Sequence, residues 1–465
     1  MTTDTSEDHG QGGLRSRLSA IWNGFDGLAG DTVWGGFSDL GLLIVTFLSF
    51  ILLQEVLPNV EFGGYAAMYA VIGPLGAMGY AGPGLAMLQR RLRDHAAPDP
   101  TLRRFLSLTL LQGAVLTLVG TGLILVIADV LTPGAVLLIA ISELLANSTI
   151  FVASMLVQAS TGYPAMVRIR LGLVAIRFVI LLGLAGMDQR FAVDTGQLIR
   201  PQIPGVDKFE ALTIFNLGLA YSLGFGAYAV WLLVVHLPRH GYRVSFGWPG
   251  RDTAVAGAKF SVPMAAAEFQ TNGDKAALQA FGFGAENGLY SVAYRIVLLG
   301  LTPIKVLDGA AFQRFLSHEE GRRGQHLERS IKFSGLMVGA AVAAAIFLYL
   351  IQPWLGFLIA EDKEGARDML PWLIPLIPLV AMRTTPLNGL VGLGRELERS
   401  VVYVSASVVS LALYLALIPP YGWVGAAIAT FLSEGYLTVV AWFALVRYQR
   451  IADSELPDPE AVPIT

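Results

Sequence analysis

Apolar residues fall along this chain in long runs, without the strict alternation of a half-buried strand. Runs of roughly 20 residues, enough to cross about 30 Å of hydrocarbon as a helix, are read at 33–56, 63–88, 105–128, 134–158, 168–187, 211–235, 254–281, 288–311, 331–351, 370–391, 401–418 and 423–446. The connectors between them alternate in charge. Those starting at Gln89 (Arg90, Arg91, Arg93, Arg103, Arg104), before the fifth run (Arg168, Arg170), after His236 (Arg239, Arg243, Arg251) and after Gln313 (Arg314, Arg322, Arg323, Arg329, Lys332) are basic. The intervening ones are neutral or acidic, as at Glu361, Asp362 and Glu364. The positive-inside rule assigns the basic set, and with it both termini, to the cytoplasm.

A nine-residue pattern, Glu61-x-Gly63-x-Tyr65-x-x-x-Tyr69, returns as Glu286-x-Gly288-x-Tyr290-x-x-x-Tyr294, and each copy leads to a Gln-Arg pair, Gln89-Arg90 and Gln313-Arg314. The chain therefore reads as duplicated. Internal repeats in a membrane protein mark transporters whose halves move against each other around a central site. With an even number of helices per half the copies run in the same direction, about an axis along the membrane normal. The predicted fold is an all-α polytopic membrane protein of about twelve transmembrane helices, in two pseudo-symmetric six-helix bundles around a central cavity. Its boundaries are a cytoplasmic tail at 1–30, an N-lobe at 31–250, a C-lobe at 251–447 and a second cytoplasmic tail at 448–465.

Composition agrees with a bilayer protein: 54% of residues are hydrophobic and 14% charged, with a mean hydropathy of +0.59, outside the range of soluble domains. The net charge of -3 is sorted by loop and forms no single basic face, so no nucleic-acid partner is implied. Cysteine is absent and the six histidines fall outside the apolar runs, so neither a thiolate nucleophile nor a metal cofactor is expected. The first thirty residues lack the pattern of a cleaved signal peptide, and residues 13–25 carry apolar side chains at helical spacing beside Arg15 and Arg17. That stretch is either a surface-lying amphipathic helix or a disordered tail.

The informative departures are charges at bilayer depth, which normally face a wet cavity or pair with one another. Arg177, Arg295 and Arg383 sit in the fifth, eighth and tenth runs, and Glu143, Glu268 and Glu434 in the fourth, seventh and twelfth. Two arrangements are open: three buried ion pairs that hold the bundle, or a polar cavity in which guanidinium groups grip an anionic headgroup while the acids balance charge or take up a proton. A guanidinium fork suits phosphate oxygens. Lys259, Lys305 and Asp308 are placed near the cytoplasmic face, and Glu55 and Asp274-Lys275 near the outer interface; Asp39 is a candidate for cation coupling. Prolines 74, 83, 263, 303, 371, 375 and 378 predict bent helices, and the glycines, including Gly335-x-x-x-Gly339, predict close helix packing. No P-loop and no His-Glu-x-x-His occurs, so the energy for transport would come from an ion gradient or the membrane potential.

The run from Pro263 to Tyr294 with Asp274-Lys275 and Gly288-Leu-Tyr290-Ser-Val-Ala-Tyr294-Arg295 resembles the helix 7 to helix 8 signature of polysaccharide flippases in the multidrug/oligosaccharidyl-lipid/polysaccharide exporter superfamily. The stretch Pro420-Tyr-Gly422-Trp-Val-Gly425 through Glu434 is similar to the last helix of that family, and Phe62-Gly-Gly-Tyr65 leading to Gln89-Arg90 to its second. The resemblance covers residues 31 to 447. It implies two six-helix lobes, alternating access and transfer of an undecaprenyl-pyrophosphate-linked saccharide to the outer leaflet, coupled to protons or Na+, alongside other envelope polysaccharide assembly proteins. It also implies a cationic cavity, with Arg295 inside a matching motif. Two other classes compete: a multidrug or small-cation antiporter of the same superfamily, which would favour an acidic cavity, and a polysaccharide polymerase or ligase, which would carry catalytic groups in a large external loop. The largest such loop, about residues 188–210, is short.

Overall fold

The computed structural model describes residues 44–55, 57–92, 96–187, 213–302, 325–359 and 363–455, together with 41, 304, 307 and 308. Asp39, the stretch 13–25, the loop 188–210, Pro303, Lys305 and the Gln313-Arg314 pair lie outside the described residues. Helices account for nearly all of the described chain, and no strand occurs in it. The chain is a polytopic, all-helical membrane protein. Seven of the described helices are long and apolar enough to cross a bilayer, and one bent pair makes an eighth span.

In chain order the elements are α1 (Ile44–Glu55), α2 (Asn59–Leu92) and α3 (Pro98–Ile127), α4 (Pro133–Thr161), α5 (Tyr163–Met187) and α6 (Ile214–Arg239). They continue as α7 (Arg251–Ala280), α8 (Gly284–Gly300) and α9 (Gln325–Ile351). Next comes α10, made of Ala366–Leu373 and Leu376–Gly392, bent by 41° where Pro375 interrupts the backbone donors. The helix Glu396–Glu455 is continuous except at Gly422, whose φ of 54° divides it into α11 (396–421) and α12 (423–455). Each of the twelve apolar runs thus contains helix.

α2 is the hub. It packs along α7 and α8 on one side and α3 and α4 on the other, so residues from both halves of the sequence meet on it. Close approach depends on missing side chains. A Cβ at Gly82 would lie 1.8 Å from Ser261 Oγ of α7, and Ser261 donates to the Met78 carbonyl at 2.9 Å, which also accepts from Gln112 of α3 at 3.0 Å. Pro83 stands inside the helix beside these bonds. The expected packing role of Gly335-x-x-x-Gly339 is not seen: a Cβ at either glycine would meet nothing within 4 Å among the described residues, because this face of α9 points away from the bundle.

α7 is the exception in composition. It is 30 residues long, yet too polar to pass as a lipid-facing span. Its C-terminal half packs among α2, α11 and α12, so the polar side chains there meet protein and cavity and need not meet hydrocarbon.

The duplicated motif forms a reciprocal contact. A Cβ at Gly63 would lie 2.0 Å from the Gly284 carbonyl oxygen, and one at Gly288 would lie 2.5 Å from the Asn59 carbonyl oxygen. Asn59 and Gly284 hold the same place in the two copies, four residues before the glycine. Each copy therefore uses its glycine to receive the backbone of the other, as expected around a two-fold axis. Asn287 Nδ2 adds a hydrogen bond to the Gly63 carbonyl at 2.8 Å. At the same end of the bundle, the buried Lys363 donates to the Gln54 and Leu57 carbonyls at the C-terminal end of α1, where the helix dipole favours a cation.

Candidate functional site

Beneath this glycine contact lies a cavity of about 360 Å³, within the size range of small-molecule sites. α1 and α2 contribute Phe50, Tyr65, Tyr69 and Gly73; α7 contributes Glu268, Thr271, Asn272 and Lys275. α8 adds Ser291, Tyr294 and Arg295, α10 adds Arg383, and α12 adds Glu434. Both copies of the repeat thus supply wall residues. The tyrosines that end the motif, Tyr69 and Tyr294, face the same space.

The three deep arginines separate into different environments. Arg295 lines the cavity with its guanidinium over the Phe50 ring, 5.4 Å from the centroid, and pairs with no carboxylate among the described residues. Arg383 also lines the cavity, with Nε 2.7 Å from Glu434 Oε2. Neither of those two atoms makes an aligned hydrogen bond, so the contact is a charge pair with bonding capacity left on both sides. Arg177 is placed elsewhere. It pairs with Glu143 in the N-terminal half, packed over the rings of Phe225 and Tyr221 at 5.1 and 5.7 Å, and is not part of the cavity wall. The structure brings Arg295 and Arg383 to one cavity and places Arg177 away from it, where α4 packs between α5 and α2 and Glu143 takes the guanidinium.

Glu143 sits in a π-helical turn, Ile141–Ala146, inside α4, a feature frequent at functional sites. Its Oε1 accepts from Tyr69 OH at 3.2 Å as well as from Arg177, and its Oε2 accepts from Asn147 Nδ2 at 3.2 Å. Tyr69 therefore connects the cavity wall to the Arg177–Glu143 pair. Glu268 accepts from Asn272 Nδ2 at 3.3 Å, and Gly73 of α2 leaves room for its carboxylate. Behind Glu434 runs a polar ladder: Ser410 Oγ donates to Gln270 Oε1 at 2.6 Å and Gln270 Nε2 to Ser433 Oγ at 3.0 Å, joining α11, α7 and α12.

Sequence reasoning placed Asp274 and Lys275 near the outer interface. Both are buried, and Lys275 is a wall residue of the cavity. Among the described residues the wall carries three cationic side chains, Lys275, Arg295 and Arg383, against two acidic ones, Glu268 and Glu434. No group of three or more His, Cys, Asp or Glu side chains able to hold a metal occurs among the described residues.

Neither a protein-family model nor a curated protein sequence matches this chain. Solved structures do. The lipid II flippase MurJ in an inward closed conformation superposes with a TM-score of 0.67 at 10% identity, over 92% of this chain and 94% of that one. An inward-facing multidrug resistance MATE family transporter gives 0.62 at 13% identity, over 89% and 94%. The fold is that of the MOP-superfamily transporters. A third protein of this fold, a MOP superfamily transporter from Pyrococcus furiosus described for the reverse polarity of its binding pocket, gives 0.60 at 15% identity over 91% and 95%. The cavity described above thus lies within a MOP-superfamily fold matched over nearly its whole length.

Proposed function

We propose that this chain is a transporter that carries a polyprenyl-pyrophosphate-linked saccharide from the inner to the outer leaflet of a bacterial plasma membrane by alternating access. The two sequence halves, 31–250 and 251–447, are the bodies that rock, and both termini are cytoplasmic. The observation that carries this reading is Arg295: a guanidinium buried among helices, on the wall of a cavity built from both copies of the repeat, without a carboxylate partner among the described residues. A buried cation with no carboxylate in contact is costly, and an anionic ligand lowers that cost. Pyrophosphate supplies planar sets of oxygens that a guanidinium fork can engage.

Arg383 completes the clamp. Its contact with Glu434 lacks aligned hydrogen bonds, so a phosphate oxygen can displace the carboxylate, which is then free to accept a proton or to rest against the polar ladder. Glu268 balances charge on the α7 wall. Arg177 acts at one remove, through Glu143 and Tyr69, as a residue that positions the α2 wall. The likeness to MurJ, a lipid II flippase, supports a lipid-linked cargo. The guanidinium of Arg295 on the cavity wall, in ion-pair contact with no described carboxylate, argues against a cationic drug as cargo.

The deciding experiment is mass analysis of polyprenyl-linked glycans after the gene is silenced. Repeat units are expected to build up on the cytoplasmic face. Normal surface polysaccharide in a strain without a paralogue would overturn the reading, and resistance to cationic dyes on overexpression would favour a drug antiporter.

A further inference from the structure

The cavity borders a charge cluster that the clamp does not use. Asp274 and Lys275 are consecutive residues of α7, exposed by only 1% and 5%. Lys275 Nζ donates to Asp274 Oδ1 at 3.0 Å and to the Thr271 carbonyl at 3.3 Å, and stands 3.5 Å from the centre of the Tyr294 ring. Two hydrogen bonds and an aromatic face satisfy an ammonium. The carboxylate is equally occupied. Its Oδ1 also accepts from Lys275 N at 2.9 Å, and its Oδ2 accepts from Tyr290 OH at 2.8 Å and from Thr430 Oγ1 at 3.5 Å.

A buried carboxylate beside a transport cavity, backed by a backbone carbonyl and two hydroxyls, has the oxygen chemistry that a hard cation prefers. In this chain the donor set does not fit such an ion. An ionised carboxylate offers about four lone-pair sites, and four donors from the chain itself fill them. The Thr271 carbonyl on the cavity side is turned to the ammonium as well. The N-terminal half repeats the device with other residues: the motif tyrosine Tyr69 donates to Glu143, and Arg177 supplies the cation.

We propose that Lys275 is a tethered counter-cation, its ammonium filling the position beside Asp274 that a free sodium ion would need, so that this protein works without Na+. The activity arm of the test rests on the transport reading; the binding arm does not. Removing the ammonium leaves Asp274 Oδ1 and the Thr271 carbonyl bordering the space that the lysine side chain vacates, with Tyr290 and Thr430 held on Oδ2. That space is a sodium site waiting for its charge.

The binding arm compares thermal unfolding of the purified full chain in sodium chloride and in choline chloride at equal ionic strength. The wild type is expected to unfold at the same temperature in both. Lys275→Ala is expected to be destabilised in choline and raised in melting temperature by sodium, and the double variant Asp274→Asn/Lys275→Ala, which removes both charges, is expected to fold and to ignore sodium. A wild type stabilised by sodium overturns the proposal, as does a folded Lys275→Ala that sodium leaves unchanged. If Lys275→Ala does not fold, the double variant decides: recovery supports the counter-charge role, and failure to recover overturns it. In proteoliposomes the wild type is expected to move a lipid-linked pyrophosphate saccharide equally well in sodium and in choline. Transport in sodium alone overturns the proposal. Transport in neither medium defeats the transport reading and leaves the binding result standing.

Discussion

Arg295 and Arg383 line one cavity, but their removal has different physical consequences. Arg295→Ala deletes a cation that is in ion-pair contact with no described carboxylate, so the fold loses little and the anion site loses its main attraction. Transport measured with reconstituted protein should fall to background while membrane insertion and thermal stability stay near wild type. Arg295→Lys should recover part of it, since an ammonium supplies charge without the fork. Arg383→Ala instead strands Glu434, which is 3% exposed. Breaking a buried pair on one side costs about 3–5 kcal/mol, so this variant should lose stability as well as transport. Adding Glu434→Gln should restore melting temperature and leave transport absent. These deep arginines were legible in the sequence, because a charge inside an apolar run stands out. So were the candidate carboxylates, but not which of them meets which arginine: nothing in the run order says that α4 meets α5, or that α10 meets α12, at the level of the charge. The burial of Lys275 was not legible for a related reason. Depth read from a sequence is distance from a helix end, and it carries no information on which neighbours shield that end from water.

Among the elements, α2 and α8 carry the repeat, and their contact explains why glycine stands at the third position of both copies. With 2.0 Å and 2.5 Å to the facing carbonyl oxygens, no side chain fits at Gly63 or Gly288 while the helix ends touch. On the proposed topology this end faces the outside. Gly63→Val or Gly288→Val should therefore hold the outer end apart. The chain has no cysteine, so a single Ser291→Cys in the cavity wall reports access cleanly: an impermeant thiol reagent added outside should label it faster in the valine backgrounds. Equal labelling rates would show that the contact is not a gate. Gly422 makes a second demand of this kind. Its φ of 54° and ψ of -133° lie where side chains are strained, and a Cβ there would come within 2.6 Å of Glu286 Oε2, the acceptor for Trp423 N at the start of α12. Gly422→Ala should lower stability by about 1–3 kcal/mol, read by thermal unfolding. The recurrence of Glu-x-Gly was visible in the sequence, but its meaning was not. Gly335-x-x-x-Gly339 looked like the better packing motif and packs against nothing described, because spacing does not say which face of a helix has a neighbour.

For the molecule as a whole, the arrangement of charge decides what crosses the membrane. Lys275, Arg383 and Arg177 are covalently part of the chain and each sits against a carboxylate of the chain, so these pairs contribute no mobile counter-ion. If no sodium accompanies the cargo, a pyrophosphate-linked glycolipid carries its negative charge across uncompensated, and transport must be electrogenic. An interior-negative membrane drives anions outward with about 2.3 kcal/mol per charge per 100 mV, close to a 50-fold bias at equilibrium for each charge moved, since ~1.4 kcal/mol is tenfold. The sign follows from the orientation: lipid-linked cargo placed on the leaflet facing the cytoplasmic ends should move faster when that side is made negative, and slower when the potential is reversed. Potassium diffusion potentials set with valinomycin in sodium-free vesicles, with leaflet-selective digestion of the saccharide as readout, measure this directly. Transport indifferent to the potential would mean that a proton for each charge travels with the cargo. Glu434 and Glu268, the two carboxylates on the cavity wall, would then be the groups to replace by glutamine, because one of them would have to carry that proton in every cycle.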